Sequence, residues 1–405
     1  MKLNRILFIT AEYPYGFSET FIETEIKYLG NRFEKVVVCP LNINKKLTRK
    51  LPFNCVLEDR IARLNKRSLS FIFSCIKGIF IARKVLFEEI FMGFPLSLHP
   101  IVLLRCVTRV AVARAISDVI KEIRSKYDID FIYTYWLNYG TLAAILSGHN
   151  VVIFSRIHGY DLYSYRWEPQ YVPLQNFLIA NTDFICPISK DGLTFLLQKY
   201  QHQQNKFHMY RLGVESRGSC KLSSDGILRI VSCSSLIPLK RVDIIAKSME
   251  HFKCSVEWVH FGDGEEKEKI EGIIKSLKQK NIKCKLTGTI SNAEITDYYK
   301  NNPVDIFVNV STSEGIPVSI MEAISFGIPV LATNVGGNSE IVIDEINGNL
   351  VDVEITPKTL ASAIENMRTK LSKYSINSLI IYSENFSAEK NYNEFVDFVL
   401  KYKQI

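Results

Sequence analysis

Asp305–Gly337 reads DIFVNVSTSEGIPVSIMEAISFGIPVLATNVGG, and its internal order decides the fold. DIFVNV is a short apolar run of the kind that forms a strand buried on both faces. STSEG carries the turn residues of a loop. Pro317 suits the first position of a helix, where its missing N–H costs nothing. The helix continues through Met321 and stops near Gly327, a C-terminal cap. Pro329 then precedes a second apolar run, PVLAT. One strand, one helix and a second strand within about 30 residues make a parallel βαβ unit.

The same alternation extends in both directions. LRIVSCSS, VEWVHFG and KCKLTG read as strands, with helical RVDIIAKSMEHF and EEKEKIEGIIKSLKQK between them. Toward the N-terminus RILFIT, VVVCP, DFIYTY, VVIFSR and DFICPI alternate with helical patterns such as FIETEIKYL. Between the two series VESRGSCKLSSDG is polar and aperiodic, as a linker is. The expectation is α/β, with two Rossmann-like doubly wound parallel sheets facing across a cleft and ligands beyond the strands' carboxyl ends. The expected domains are 1–212 and 213–385, with 386–405 a closing helix that packs back on the first domain.

The bulk numbers fit this picture. Of 405 residues 47% are hydrophobic and 23% charged, a globular balance. Nine scattered cysteines form no C-x-x-C pair, so reduced thiols are expected rather than a zinc or disulfide framework. MKLNRILFITAEYP shows no signal peptide, which implies a cytoplasmic protein. The net charge of +8 is uneven: residues 60–126 hold thirteen Lys/Arg against four Asp/Glu. That stretch also contains SLSFIFSCIKGIFIARKVLF and PIVLLRCVTRVAVARAI. Lys77, Arg83, Arg105 and Arg109 interrupt these runs before they reach the roughly 18 uncharged residues of a membrane span. Two readings stand for 60–126: core helices with solvated basic faces, or peripheral contact with an anionic inner membrane face. The stretch has no nucleic-acid recognition motif, so no nucleic-acid partner is expected.

Candidate chemistry gathers in four places. In Asp305–Gly337, Glu314 falls in the loop at a strand's carboxyl end and Glu322 about one and a half turns into the helix. The N–H groups of Gly315, Ile316 and Val318, framed by Pro317, share that space and suit phosphate or sugar oxygens. Carboxylates accept well from a vicinal diol. In SSLIPLKRVD, Lys240 and Arg241 begin a helix, where the macrodipole disfavours cations unless an anion joins them. Gly262 marks the FGDGEE turn. In the first half, Arg156, His158 and Asp161 follow VVIFS directly. Trp136, with Tyr133, Tyr135 and Asn138, follows another strand and offers a stacking face for a sugar. Gly16 and Ser18 lie in the first strand–helix loop, with Ser18 a helix cap. No D-x-D metal motif stands at a convincing loop position, so no metal is expected.

SEGIPVSIMEA, with Gly327-Ile-Pro329 and VGGNSEIV after it, resembles the E-x7-E signature of glycosyltransferase family 4, retaining enzymes of the two-domain GT-B fold. The resemblance implies that Glu322 binds the donor's ribose hydroxyls, and that Glu314, Gly315 and Ile316 hold the donor sugar. Lys240 matches the family's phosphate-gripping Lys. The Arg expected five residues earlier is Ser235, with Arg241, or less directly Arg211, the substitute. H-G-x-D at His158–Asp161 implies a His beside the donor sugar near the reaction centre. Asp161 would orient it or meet the acceptor, and Arg156 would bind a phosphate or the acceptor. The usual Gly-Gly near the phosphates is Gly16 alone. The implied activity is transfer from a UDP- or GDP-sugar, without cofactor, to a glycan acceptor, lipid-linked, in cell-surface polysaccharide assembly. Two alternatives remain: a nucleotide-sugar 2-epimerase of the same fold, and a non-catalytic sugar-binding protein.

Overall fold

The computed structural model describes residues 4–16, 19–43, 46–64, 69–81, 83–148 and 150–402. It divides into two compact units, Met1–Arg211 with Tyr392–Ile405, and Leu212–Asn391.

The first unit is built on β1 (Arg5–Thr10), β2 (Lys35–Pro40), β3 (Cys55–Leu57), β4 (Phe131–Thr134), β5 (Val152–Ile157) and β6 (Phe184–Pro187). They form one parallel sheet in the order β3-β2-β1-β4-β5-β6. Its first four long helices are α1 (Ile22–Arg32), α2 (Leu69–Ile81), α3 (Arg83–Gly93) and α4 (Pro100–Tyr127). The core is aliphatic, with Leu7, Ile9, Val37, Ile132 and Leu142 fully or almost fully buried. Residues 392–401 of the helix Ala388–Lys401 complete this unit. Its Phe395 and Phe398 pack beside Phe154, Phe184 and Tyr210.

The second unit repeats the plan with β7 (Leu228–Cys233), β8 (Val256–Phe261), β9 (Ile282–Leu286), β10 (Ile306–Asn309), β11 (Val330–Thr333) and β12 (Gly348–Val351). The order is β12-β11-β10-β7-β8-β9, again all parallel. Trp258 is wholly buried and satisfies its indole N–H on Ser232 Oγ at 3.0 Å. The residues read as a linker, 214–226, lie against this unit: Val214 bridges Ser387, and the Cys220 N–H donates to Phe326 O at 2.8 Å.

In both sheets the strand order reverses once, between β1 and β4 and between β7 and β10. Crevices beyond the carboxyl ends at such reversals are where doubly wound sheets bind ligands. The loops after β1, β4, β7 and β10 are therefore the places where a ligand site is expected. Among the described residues no helix is long and apolar enough to cross a membrane.

Candidate functional site

In the second unit the reversal brings together the loops after β7 and β10. The Thr312 N–H donates to Leu239 O at 2.9 Å, tying one loop to the other. Glu314 Oε1 accepts from Lys240 Nζ at 2.7 Å, from Ser311 Oγ at 2.7 Å and from Asn309 Nδ2 at 3.1 Å. Glu314 and Lys240, 74 residues apart, thus form one ion pair at the crevice. Pro317 occupies the N-cap rather than the first helical position, with ψ 113°, and the helix runs Val318–Ser325. Among the described residues the N–H groups of Gly315 and Ile316 meet no protein acceptor.

Neighbouring glycines permit this closeness. A Cβ on Gly336 (φ +50°) would collide with Glu314 O, and one on Gly337 with Gly315 O. Gly262 (φ +141°) presses in the same way on Ser234 O. The loops are thus held by backbone-to-backbone packing that only glycine allows.

Glu322 lies in the helix itself, where it accepts from the Asn292 amide. Burial pushes its carboxyl up to about 7; the Asn292 hydrogen bond and the Arg217 charge offset this only in part. A carboxyl held near neutrality is a group with unmet demand for donors, and such groups cluster at functional sites.

Arg241, expected to stand in for the Arg missing at Ser235, is engaged elsewhere. It adopts a left-handed conformation (φ 51°), and its guanidinium donates to Val353 O and, at 3.2 Å, to Ile355 O. A guanidinium engaged by two main-chain carbonyls anchors the loop after β12 and does not replace the Arg missing at Ser235.

In the first unit the loops after β1 and β4 are joined by Glu19, a residue that sequence reasoning does not single out. Its buried carboxylate accepts from the N–H groups of Ala11, Glu12 and Tyr13 and from Trp136 Nε1 at 2.6 Å. Trp136 presents its ring to His158, 4.3 Å away between centroids, with Tyr135 at 4.9 Å. Trp136 is therefore a wall for the imidazole. Both His158 ring nitrogens are buried without a partner among the described residues. Burial, aided by the Arg156 charge, lowers His158 to about 3, so the ring is neutral. Gly16 (φ +62°) donates to Lys46 O at 3.0 Å, and Ser18 lies outside the described residues.

Two expected acceptor ligands are structural. Asp161 accepts from the His158 N–H at 2.6 Å and the Leu137 N–H at 2.7 Å, so it fixes the backbone that carries the imidazole. Arg156 is fully buried: it pairs with Glu25 at 2.9 Å, donates to Tyr133 Oη and to Tyr210 O, and lies 4.7 Å from the Phe395 ring centre. Nothing soluble reaches it there. Among the described residues no group of three or more His, Cys, Asp or Glu is placed to hold a metal ion.

Residues 222–370 match the profile of glycosyl transferases group 1. This domain belongs to that family. The match contains the Lys240–Glu314 pair, Gly262 and Glu322. The GtfA subunit of the UDP-N-acetylglucosamine–peptide N-acetylglucosaminyltransferase of Streptococcus agalactiae is 29% identical over 140 residues, 33% of this chain. The putative colanic acid biosynthesis glycosyltransferase WcaL of Escherichia coli is 23% identical over 297 residues, 69% of this chain and 71% of its own length. For three of the curated relatives the chain spans only 26%, 32% and 24% of their lengths. The structure of Anabaena HepE in complex with UDP aligns with a TM-score of 0.65 at 14% identity, covering 98% of this chain and 100% of that one. At that identity the likeness concerns the fold, and the fold is GT-B: two Rossmann-like units, of which the second is the glycosyl transferases group 1 domain.

Proposed function

We propose that the chain is a retaining glycosyltransferase, moving a sugar from a UDP-sugar to a lipid-linked glycan in cell-surface polysaccharide assembly. The observation that carries this reading is the Lys240–Glu314 pair at the reversal of the second sheet, together with a Glu322 carboxyl raised to about 7 on the helix that follows Glu314. UDP is favoured over GDP because HepE aligns in a UDP complex and the GtfA relative is named for a UDP-sugar. Colanic acid biosynthesis, in the name of WcaL, supports the acceptor class.

In this reading Glu322 accepts from the ribose hydroxyls. The diphosphate draws Lys240 from Glu314, and the Gly315 and Ile316 N–H groups complete its neutralisation without a metal. Glu314, released, accepts from the sugar hydroxyls. The bond from the anomeric carbon to the diphosphate oxygen breaks. The acceptor oxygen bonds to the same face, and its proton passes to the leaving diphosphate. Such charge stabilisation is commonly the largest share of catalysis. His158, in the first unit, is neutral, and its two unpartnered ring nitrogens suit hydrogen bonds to a sugar hydroxyl rather than proton transfer. A second reading, a non-catalytic sugar-binding protein, draws on Ser235, which leaves Lys240 without the expected Arg.

The test is thermal stabilisation by UDP, GDP, ADP and CMP. A ligand that binds only the folded state raises the melting temperature. UDP alone should do so, and Glu322→Ala should abolish the effect. Stabilisation without any transfer to an acceptor would favour the second reading, and no stabilisation by any of the four would refute the donor site.

A further inference from the structure

The first unit carries a surface that its own core does not use. Along α2, Leu69, Ile72, Phe73, Ile76 and Phe80 recur at helical spacing, the pattern that ordinarily faces a protein interior. Here that stripe faces outward, while Gly78 sits tight against Arg114 of α4. The stripe continues across α3 and into α4. Phe73, Phe80, Phe87, Phe91, Phe94 and Leu104 are each between 63% and 79% exposed. Phe87, Ile90, Phe91 and Phe94 ring an apolar hollow of about 400 Å³. So many large apolar side chains exposed on neighbouring helices are the mark of a binding surface.

Its charge narrows the partner. Within the basic stretch 60–126, Arg60, Arg63 and Lys126 pair with Glu58 or Asp59, whereas Arg83 and Lys84 are exposed at the start of α3 between Phe80 and Phe87, with Lys84 3.6 Å from Glu88. Aromatic rings flanked by cations suit an interface that is apolar within and anionic at its surface.

The face is also fastened to the segment that follows His158. Under α3, buried Glu89 accepts from Tyr171 Oη and from the N–H groups of Leu174 and Phe177. Arg105 and Arg109 of α4 lie over the Trp167 ring at 5.4 and 4.8 Å, and Trp167 packs on Tyr160 at 4.6 Å.

We propose that α2, α3 and the start of α4 form a docking face for an anionic bilayer. The aromatic rings enter the headgroup–acyl boundary, Arg105 and Arg109 hold the Tyr160–Trp167 segment at the membrane, and Glu89 holds Tyr171–Phe177 behind it. A lipid-borne acceptor then meets the His158 side of the unit by diffusion within the bilayer plane. Docking itself does not depend on the transfer reaction and is read without any sugar.

The test is co-flotation of the full chain with vesicles of phosphatidylcholine, with and without phosphatidylglycerol. The parent protein should float only with the anionic vesicles, and salt should weaken it. Phe87→Glu with Phe91→Glu should weaken binding by about tenfold or more while leaving the melting temperature unchanged. Ile376→Glu with Ile380→Glu, exposed positions on the second unit, should bind as the parent does. Absence of binding to anionic vesicles would overturn the proposal. So would equal binding by the α3 variant. A dimer in solution that the α3 substitutions split, with no vesicle binding, would overturn it in favour of a second copy as occupant.

Discussion

The Glu322 carboxyl allows the donor site to be tested by pH alone. Burial holds it near 7, against an ordinary 4.5. If its ionised form is the one that accepts from the ribose diol, apparent affinity scales with the ionised fraction. That fraction is close to one at about pH 8 and about a tenth at pH 6. The dissociation constant should therefore rise about tenfold between pH 8 and pH 6 and about tenfold again by pH 5. Isothermal calorimetry with an intact UDP-sugar is the assay, because UDP itself has a phosphate ionising near 6 that would confuse the profile. Stability moves the opposite way. A carboxyl whose folded value lies above its unfolded value contributes fully below about 4.5, and that contribution is lost as pH rises through about 7. Glu322→Gln should thus bind the donor weakly and without pH dependence, yet melt above the parent at about pH 8, the gap closing toward pH 5. A flat binding profile in the parent, or the same slope in Glu322→Gln, would refute this role.

Two further predictions concern how the units hold their sites. Arg156→Met leaves the Glu25 carboxylate buried and unpaired, and urea denaturation should show a loss of about 3–5 kcal/mol, largely recovered by adding Glu25→Gln; a loss below about 1 kcal/mol would return Arg156 to the ligand-binding candidates. Gly336→Ala places a methyl group against Glu314 O, so the donor KM should rise about tenfold or more, while Gly272→Ala, with nothing within 4 Å of its added carbon, should change neither KM nor stability adversely.

Much of this is legible in the sequence. The longer strands are compact apolar runs bounded by turn residues, and both sheets grow from them. β3 (CVL) has only three residues, and β12 (GNLV) opens on Gly and Asn, so neither shows an apolar run. The spacing of Glu314 and Glu322 is local, so the sequence locates both. Arg156 misleads for the opposite reason. An Arg just past a strand end looks like a ligand, but Glu25 lies 131 residues away, and no local signal reports that pairing. Arg241 is similar, its carbonyl partner being 112 residues distant. Glu19 carries no local signal, since its work is to gather main-chain N–H groups that sequence does not display. On α2, periodicity reveals an apolar stripe but not what the stripe faces.

The return of residues 392–402 to the first unit bears on the order of synthesis. Phe398 fills space beside Phe154 and Phe184, and Phe395 lies over the Arg156 guanidinium. These residues leave the ribosome only after the whole of 212–391 has been made. The half of the protein translated first is thus sealed last. Until then its aromatic seam and buried ion pair stand open to water, and a nascent chain arrested before residue 392 would present that seam to chaperones or to other nascent chains.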